Sequence, residues 1–203
     1  MTKAQFIELI KGQLTSGDPS PDLHEKYHEK RIELFISMAF NDVIYQVFAN
    51  NLDEKDLYVR TYSVDVQLDT TYDQYYATLP AQVLQLPKNS GIHKVSPVKE
   101  NWSFVPINQL SEETFSELEV NKACREPSYY FSANRIYFQF YDWKQKMLKK
   151  ARIDMVIPFE DYADTDQVLV PAGKESTILE TVYALMGQQL TADHTQNLND
   201  TQA

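Results

Sequence analysis

Between Ile32 and Val47 the apolar residues Ile32, Ile36, Ala39, Val43 and Val47 recur at intervals of four, three, four and four. That spacing gathers them on one side of an α-helix but scatters them over both faces of a strand, so the stretch can bury them together only as a helix. The pattern predicts one long helix over about 22–50. Asp22 is placed as its N-cap and Glu25 sits three residues on, where a capping box carries its acid. Phe35, Met38, Tyr45 and a second series at spacing four, Phe40, Ile44 and Phe48, widen the apolar surface beyond the first stripe. A helix so clad needs more than one packing partner. Phe40, Ile44 and Phe48 are therefore candidates for contact with another copy of the chain.

The elements around this helix follow from the same rules. Residues 2–14 read as a short amphipathic helix with Phe6, Leu9, Ile10 and Leu14 on one side, closed off by Gly17-Asp18-Pro19-Ser20-Pro21. From Leu57 to Pro158 the pattern turns to strands. The segments 56–68, 72–80, 92–98, 103–107, 129–141 and 151–159 are rich in β-branched and aromatic residues, with Ser132-Ala133-Asn134 as a hairpin turn. Ser111-Glu112-Glu113 can cap a short helix inside this region. A last helix is expected near 175–189, with Ile178, Val182, Leu185 and Met186 inward. Residues 191–203 lack aromatics and periodicity and read as a flexible tail. The expected class is α+β: one domain over 1–190, helical over 1–51, β-rich over 56–170 and helical again over 175–189.

Charge and composition narrow the function classes. The net charge is −10, and residues 153–203 hold nine acids against the single base Lys174. A surface of that sign repels phosphate and disfavours tight DNA binding. The one cysteine, Cys124, cannot form an internal disulfide and suits a reducing compartment. No stretch approaches the run of about 18 apolar residues that a membrane span requires, and the N-terminus does not read as a secretory signal.

Catalytic motifs are scarce. His24-Glu25-Lys26-Tyr27-His28 matches H-E-x-x-H, which on a helix could share zinc between His24 and His28 with Glu25 as base. Its flanks are polar and no third ligand is near, so the expectation is no metal, no cofactor and no enzymatic activity, with a zinc-dependent peptidase through HEKYH as the less favoured alternative. The five glycines form no phosphate loop or dinucleotide fingerprint. Tyrosines cluster at 58–76 and 129–141 and offer an alternative, a carbohydrate- or single-stranded nucleic-acid-binding module. The run Lys144, Lys146, Lys149, Lys150 and Arg152 is a candidate docking strip for an acidic protein surface, including the acidic segment of a neighbouring copy.

Taken in order, KYHEKRIELFISMAFNDVIYQVFANN, YYATLPAQVLQLPKNSGIHKV, RIYFQFYDWKQKMLKKARIDMVIPF and LVPAGKESTILETVYALMGQQ resemble the head-to-tail adaptor (ring or gatekeeper) proteins of tailed bacteriophages, of the short-tailed or crAss-like type. The likeness spans about 22–190 and rests on the order and texture of elements. It implies a structural virion subunit, made and assembled in the host cytoplasm. Copies would form a ring, commonly twelve-fold, between portal and tail proteins around the DNA channel. It implies no catalytic residues. It also implies that the strands in RIYFQF and ARIDMVIPF pair with each other.

Overall fold

A computed structural model of the protein describes residues 1–14, 29–50, 53–71, 73–107, 126–139, 149–170 and 173–186. Among them run α1 (Lys3–Leu14), α2 (Glu29–Ala49), β1 (Arg60–Asp69), β2 (Gln74–Thr78), β3 (Ile92–Pro97), β4 (Val105–Pro106), β5 (Ser128–Ser132), β6 (Arg135–Gln139), β7 (Lys150–Met155) and α3 (175–186). Short 3-10 turns occupy Asp53–Tyr58, Pro87–Asn89 and Phe159–Asp161. The class is α+β, with helices towards both ends and strands between. Two compact units divide the chain: a helical one drawn from Met1–Tyr58 and Pro158–Ala203, and a strand-bearing one formed by Val59–Ile157. The expectation of one domain over 1–190 carries no hint of this insertion, because periodicity marks elements rather than which of them cohere.

In the helical unit, α1 opens with a reciprocal capping box. The Gln5 N–H donates to Thr2 Oγ1 at 3.3 Å and the Thr2 N–H to Gln5 Oε1 at 3.0 Å. The next free donors, the N–H groups of Lys3 and Ala4, reach the carbonyls of Asp166 and Asp164. Phe6, Ile7, Ile10 and Leu14 are buried, whereas Leu9 is 38% exposed. The inner face is thus rotated from the expected one, with Ile7 in place of Leu9. In α3, Ile178, Val182 and Met186 point inward as expected, and the Tyr183 hydroxyl donates to the Leu14 carbonyl at 3.3 Å.

Helix α2 carries the core of this unit. Phe40 sits among four aromatic rings, with centroids at 4.6 Å from Phe159, 5.6 Å from Phe6, 6.2 Å from Tyr58 and 6.3 Å from Tyr162. Asn41 fixes the returning chain: its Oδ1 accepts from the Phe159 N–H and its Nδ2 donates to Glu160 Oε2. Phe40, Ile44 and Phe48 are all buried, which corrects their expected role as an oligomer contact. Both apolar sides of the helix are used inside the unit, because α1, Asp53–Tyr58 and Phe159–Asp161 pack around it. What α2 leaves outside is a different line, Leu34 (54% exposed), Met38 (48%) and Tyr45 (48%). By length and mean hydropathy (1.3) the span Lys30–Ala49 could cross a membrane, yet its core face is filled by this unit's own side chains. The N-cap expected at Asp22 and Glu25 lies outside the described residues.

The strand-bearing unit is one seven-stranded sheet in the order β3-β7-β1-β2-β6-β5-β4. All pairs are antiparallel except β4 with β5. Strand β1 is long enough to serve two partners, pairing through Arg60–Asp65 with β7 and through Val66–Asp69 with β2. The Phe104 N–H, beside one edge strand, donates to the Val95 carbonyl of the other at 2.8 Å, so the sheet curls towards itself. Val64, Ala77, Val95, Phe104, Ile136, Phe138, Ala151, Ile153 and Met155 are buried in it. A hairpin turn stands where expected, and Ala133 and Asn134 both have positive φ (48° and 63°), the requirement of a two-residue I′ turn. Two expectations are corrected. Asp56-Leu57-Tyr58 belongs to a 3-10 turn rather than to the first strand. Strands β6 and β7 do not pair: β6 lies between β2 and β5, and β7 between β3 and β1. The short cap helix expected at Ser111 lies outside the described residues.

Candidate functional site

The alternation of β7 sends Ala151, Ile153 and Met155 into the core and Lys150, Arg152 and Asp154 to the opposite face. Register places Asp65 opposite Lys150 and Thr61 opposite Asp154. Lys150 Nζ lies 3.8 Å from Asp65 Oδ1, and Arg152 Nε lies 3.1 Å from Asp154 Oδ1, which also accepts from Thr61 Oγ1 at 2.6 Å. Lys150 and Arg152 therefore have partners within their own sheet, where the sequence offered them to another surface. The Lys150–Asp65 pair is exposed on both sides and contributes about 0–1 kcal/mol. Lys149 is exposed; Lys144 and Lys146 lie outside the described residues.

The tyrosine clusters resolve into a ladder. Tyr76, Tyr137 and Tyr130 share one cross-strand row of β2, β6 and β5. Tyr137 stacks on Tyr130 at 5.0 Å with planes 12° apart and meets Tyr76 at 6.1 Å, while the Arg135 guanidinium lies 4.8 Å over the Tyr76 ring. Their hydroxyls are engaged too, Tyr76 donating to Gln67 Oε1 and Tyr130 to Gln74 Oε1. Each of these rings turns one face to a neighbouring ring or to Arg135. Base or sugar stacking needs those faces open.

A concavity of the strand-bearing unit offers more. Its volume is about 770 Å³, and it is walled by Val83–Leu86, Ser90–Lys94, Ser103 and Phe104, Pro106 and Ile107, and the β5 residues Tyr129–Phe131. The first two walls are held by backbone: the Leu84 N–H donates to the Val156 carbonyl, and the Val156 N–H to the Gly91 carbonyl. Gly91 is needed there because a Cβ would meet the Leu84 carbonyl oxygen and lie 2.7 Å from Val83 Cγ1. Lys88 holds a left-handed backbone (φ 57°, ψ 28°) in the turn between those walls. Leu84, Leu86, Ile92, Phe104 and Phe131 make much of the wall apolar, and the charged residues among those described are Lys88 and Lys94, with His93 beside them. No carboxylate lines it among the described residues, in a chain of net charge −10. None of Lys88, His93 and Lys94 makes an ion pair. Burial pushes the Tyr129 hydroxyl up to about 12, so it remains a neutral donor at physiological pH.

Sequence reasoning missed this site because its cations lie singly along the chain and are brought together only by the turn at Pro87–Asn89 and the start of β3. The one local signal was Gly91, a glycine in a glycine-poor chain. The HEKYH segment, His24 to His28, lies outside the described residues, and among the described residues no group of three or more His, Cys, Asp or Glu could hold a metal. Comparison with family models and with curated proteins finds no match for this chain.

Proposed function

We propose that this chain is a structural, non-enzymatic subunit of a tailed-phage virion, one copy of a head-to-tail connector ring standing between portal and tail and surrounding the DNA channel. The observation that carries the assembly reading is the second apolar line of α2. A helix whose core side is already filled still presents Leu34, Met38 and Tyr45 to solvent, and exposed apolar surface on a folded unit favours contact with another chain. The virion assignment draws on the order of elements: the long helix, the Tyr-rich β2 running into Leu79-Pro80, then β3, β6, β7 and a final helix. In such a ring the neighbours of each copy are other copies and the portal and tail proteins. An acidic lumen lets DNA pass without sticking.

Co-expression with a tailed-phage portal protein, followed by electron microscopy, tests the proposal. The wild-type chain should form rings on portals. A Leu34→Glu, Met38→Glu variant should keep its monomer fold and lose the rings. A wild-type chain that stays monomeric and portal-free under all conditions would sink the reading.

A further inference from the structure

We infer that the cation-lined cavity of the strand-bearing unit is a receptor for an acidic peptide, and that its occupant is segment 187–203 of a second copy of this chain. The inference rests on the part of the proposed function in which copies touch one another, and stands without the virion assignment.

Three observations lead to it. First, the cavity lies within the roughly 300–1,000 Å³ range of built binding sites, and two of its wall segments are hydrogen-bonded to Val156, one through each backbone group. Second, among the described residues its charged lining is of one sign. Lys88, Lys94 and His93 stand at apolar and aromatic walls with no carboxylate among the described lining residues, whereas Lys150 and Arg152 have their charge answered by Asp65 and Asp154. Lys88 and Lys94, without an ion-pair partner among the described residues, thus stand where there is also room for a side chain. An ammonium pair beside apolar walls suits a carboxylate carried next to an aliphatic side chain. A nucleic acid would instead need a row of cations tracking successive phosphates.

Third, the chain itself supplies a segment of that chemistry. Residues 187–203 follow the last described helical residue, Met186, and contain Asp193 and Asp200 with no lysine or arginine. Each acid has a leucine nearby, Leu190 three residues before Asp193 and Leu198 two before Asp200. Fully extended, the segment would reach roughly 55–60 Å. Such head-to-tail contacts use two different patches and propagate or close into a ring.

The test is a calorimetric titration of a synthetic 187–203 peptide into the full-length chain. The receptor carries Asp193→Asn and Asp200→Asn, so that its own segment does not compete. Binding is expected, weakening steeply with added salt. It should fall at least tenfold when the peptide has both Asp→Asn changes, or when the receptor also has Lys88→Gln and Lys94→Gln. Both lysines are exposed, so these variants should fold, and circular dichroism checks that they do. No binding, or binding indifferent to the two lysines, overturns the inference. Equally tight binding of inorganic phosphate would assign the cavity to a free anion and overturn it as well. Sedimentation of the wild-type chain supplies the last arm: self-association lost in Lys88→Gln, Lys94→Gln supports a second copy as donor. A wild-type monomer that refuses the peptide, beside an Asp→Asn receptor that takes it, places the segment in its own molecule and overturns the second-copy assignment.

Discussion

At the scale of single residues, Phe40 and Tyr129 have opposite lessons. Phe40 read as one of three residues offered to another copy because spacing gives angles around a helix axis but not what stands at each angle. Four aromatic partners stand there, contributed from as far away in sequence as Phe6 and Tyr162. Phe40→Ala should therefore cost about 3–5 kcal/mol, measured as a drop in urea-unfolding free energy, with no folded but assembly-deficient species; a folded variant of unchanged stability would contradict the packing. Tyr129 is silent in sequence, one tyrosine among thirteen, and acquires its character from burial. Its hydroxyl is raised from 10.0 to about 12, so below pH 10 folded and unfolded chains both keep the proton. Between pH 10 and 12 the unfolded chain gives it up while the folded chain holds it, and stability falls as pH rises. Tyr129→Phe should flatten that fall in part, with Tyr58, raised in the same direction by burial, supplying more of it. Denaturation curves at pH 9, 10, 11 and 12 for both proteins decide the matter.

At the scale of elements, local patterns were legible wherever one rule governed them. The interval pattern of α2, the alternation of β7 and the Ser132-Ala133-Asn134 turn needed only neighbours in sequence; a helix, a strand and a turn stand there, although β7 ends at Met155 where the strand was expected to run to Phe159. Partnership was not legible. That β7 pairs with β1 and β3 depends on segments some ninety and sixty residues upstream, and no local rule selects them over adjacent β6. The cavity was hidden for the same reason, its walls coming from four separate segments. The β5–β6 turn offers a direct check on the local rules. Ala133 holds φ at 48°, a left-handed conformation that costs a residue with a Cβ about 1–2 kcal/mol, while glycine adopts it freely at a smaller entropic cost. Ala133→Gly should thus be stabilising, by up to about 1 kcal/mol in thermal or urea unfolding. A loss of stability would mean that the turn is not type I′.

At the scale of the whole molecule, the chain leaves the helical unit at Tyr58 and returns to it at Pro158. Arg60, at the start of β1, is paired with Met155, at the end of β7, so the two ends of the inserted segment are neighbours in one sheet. An insertion whose ends meet closes its own hydrogen-bond ladder, and this one has its own buried set in Val64, Ala77, Val95, Ile136, Phe138, Ile153 and Met155. At about 100 residues it has the size at which a single core sustains independent folding. Residues 59–157 expressed alone should therefore fold, showing near-ultraviolet dichroism from the tyrosine ladder and one cooperative thermal transition. The helical unit is different in kind. Its core joins Phe6 and Phe40 to Phe159 and Tyr162, so it needs both chain ends, and residues 1–58 alone should not fold; adding 158–203 joined by a short glycine-serine linker should restore the helical signal. If 59–157 instead gives a compact state without near-ultraviolet signal, the sheet depends on the helical unit for its packing, and the division into two units is one of contact density rather than of folding.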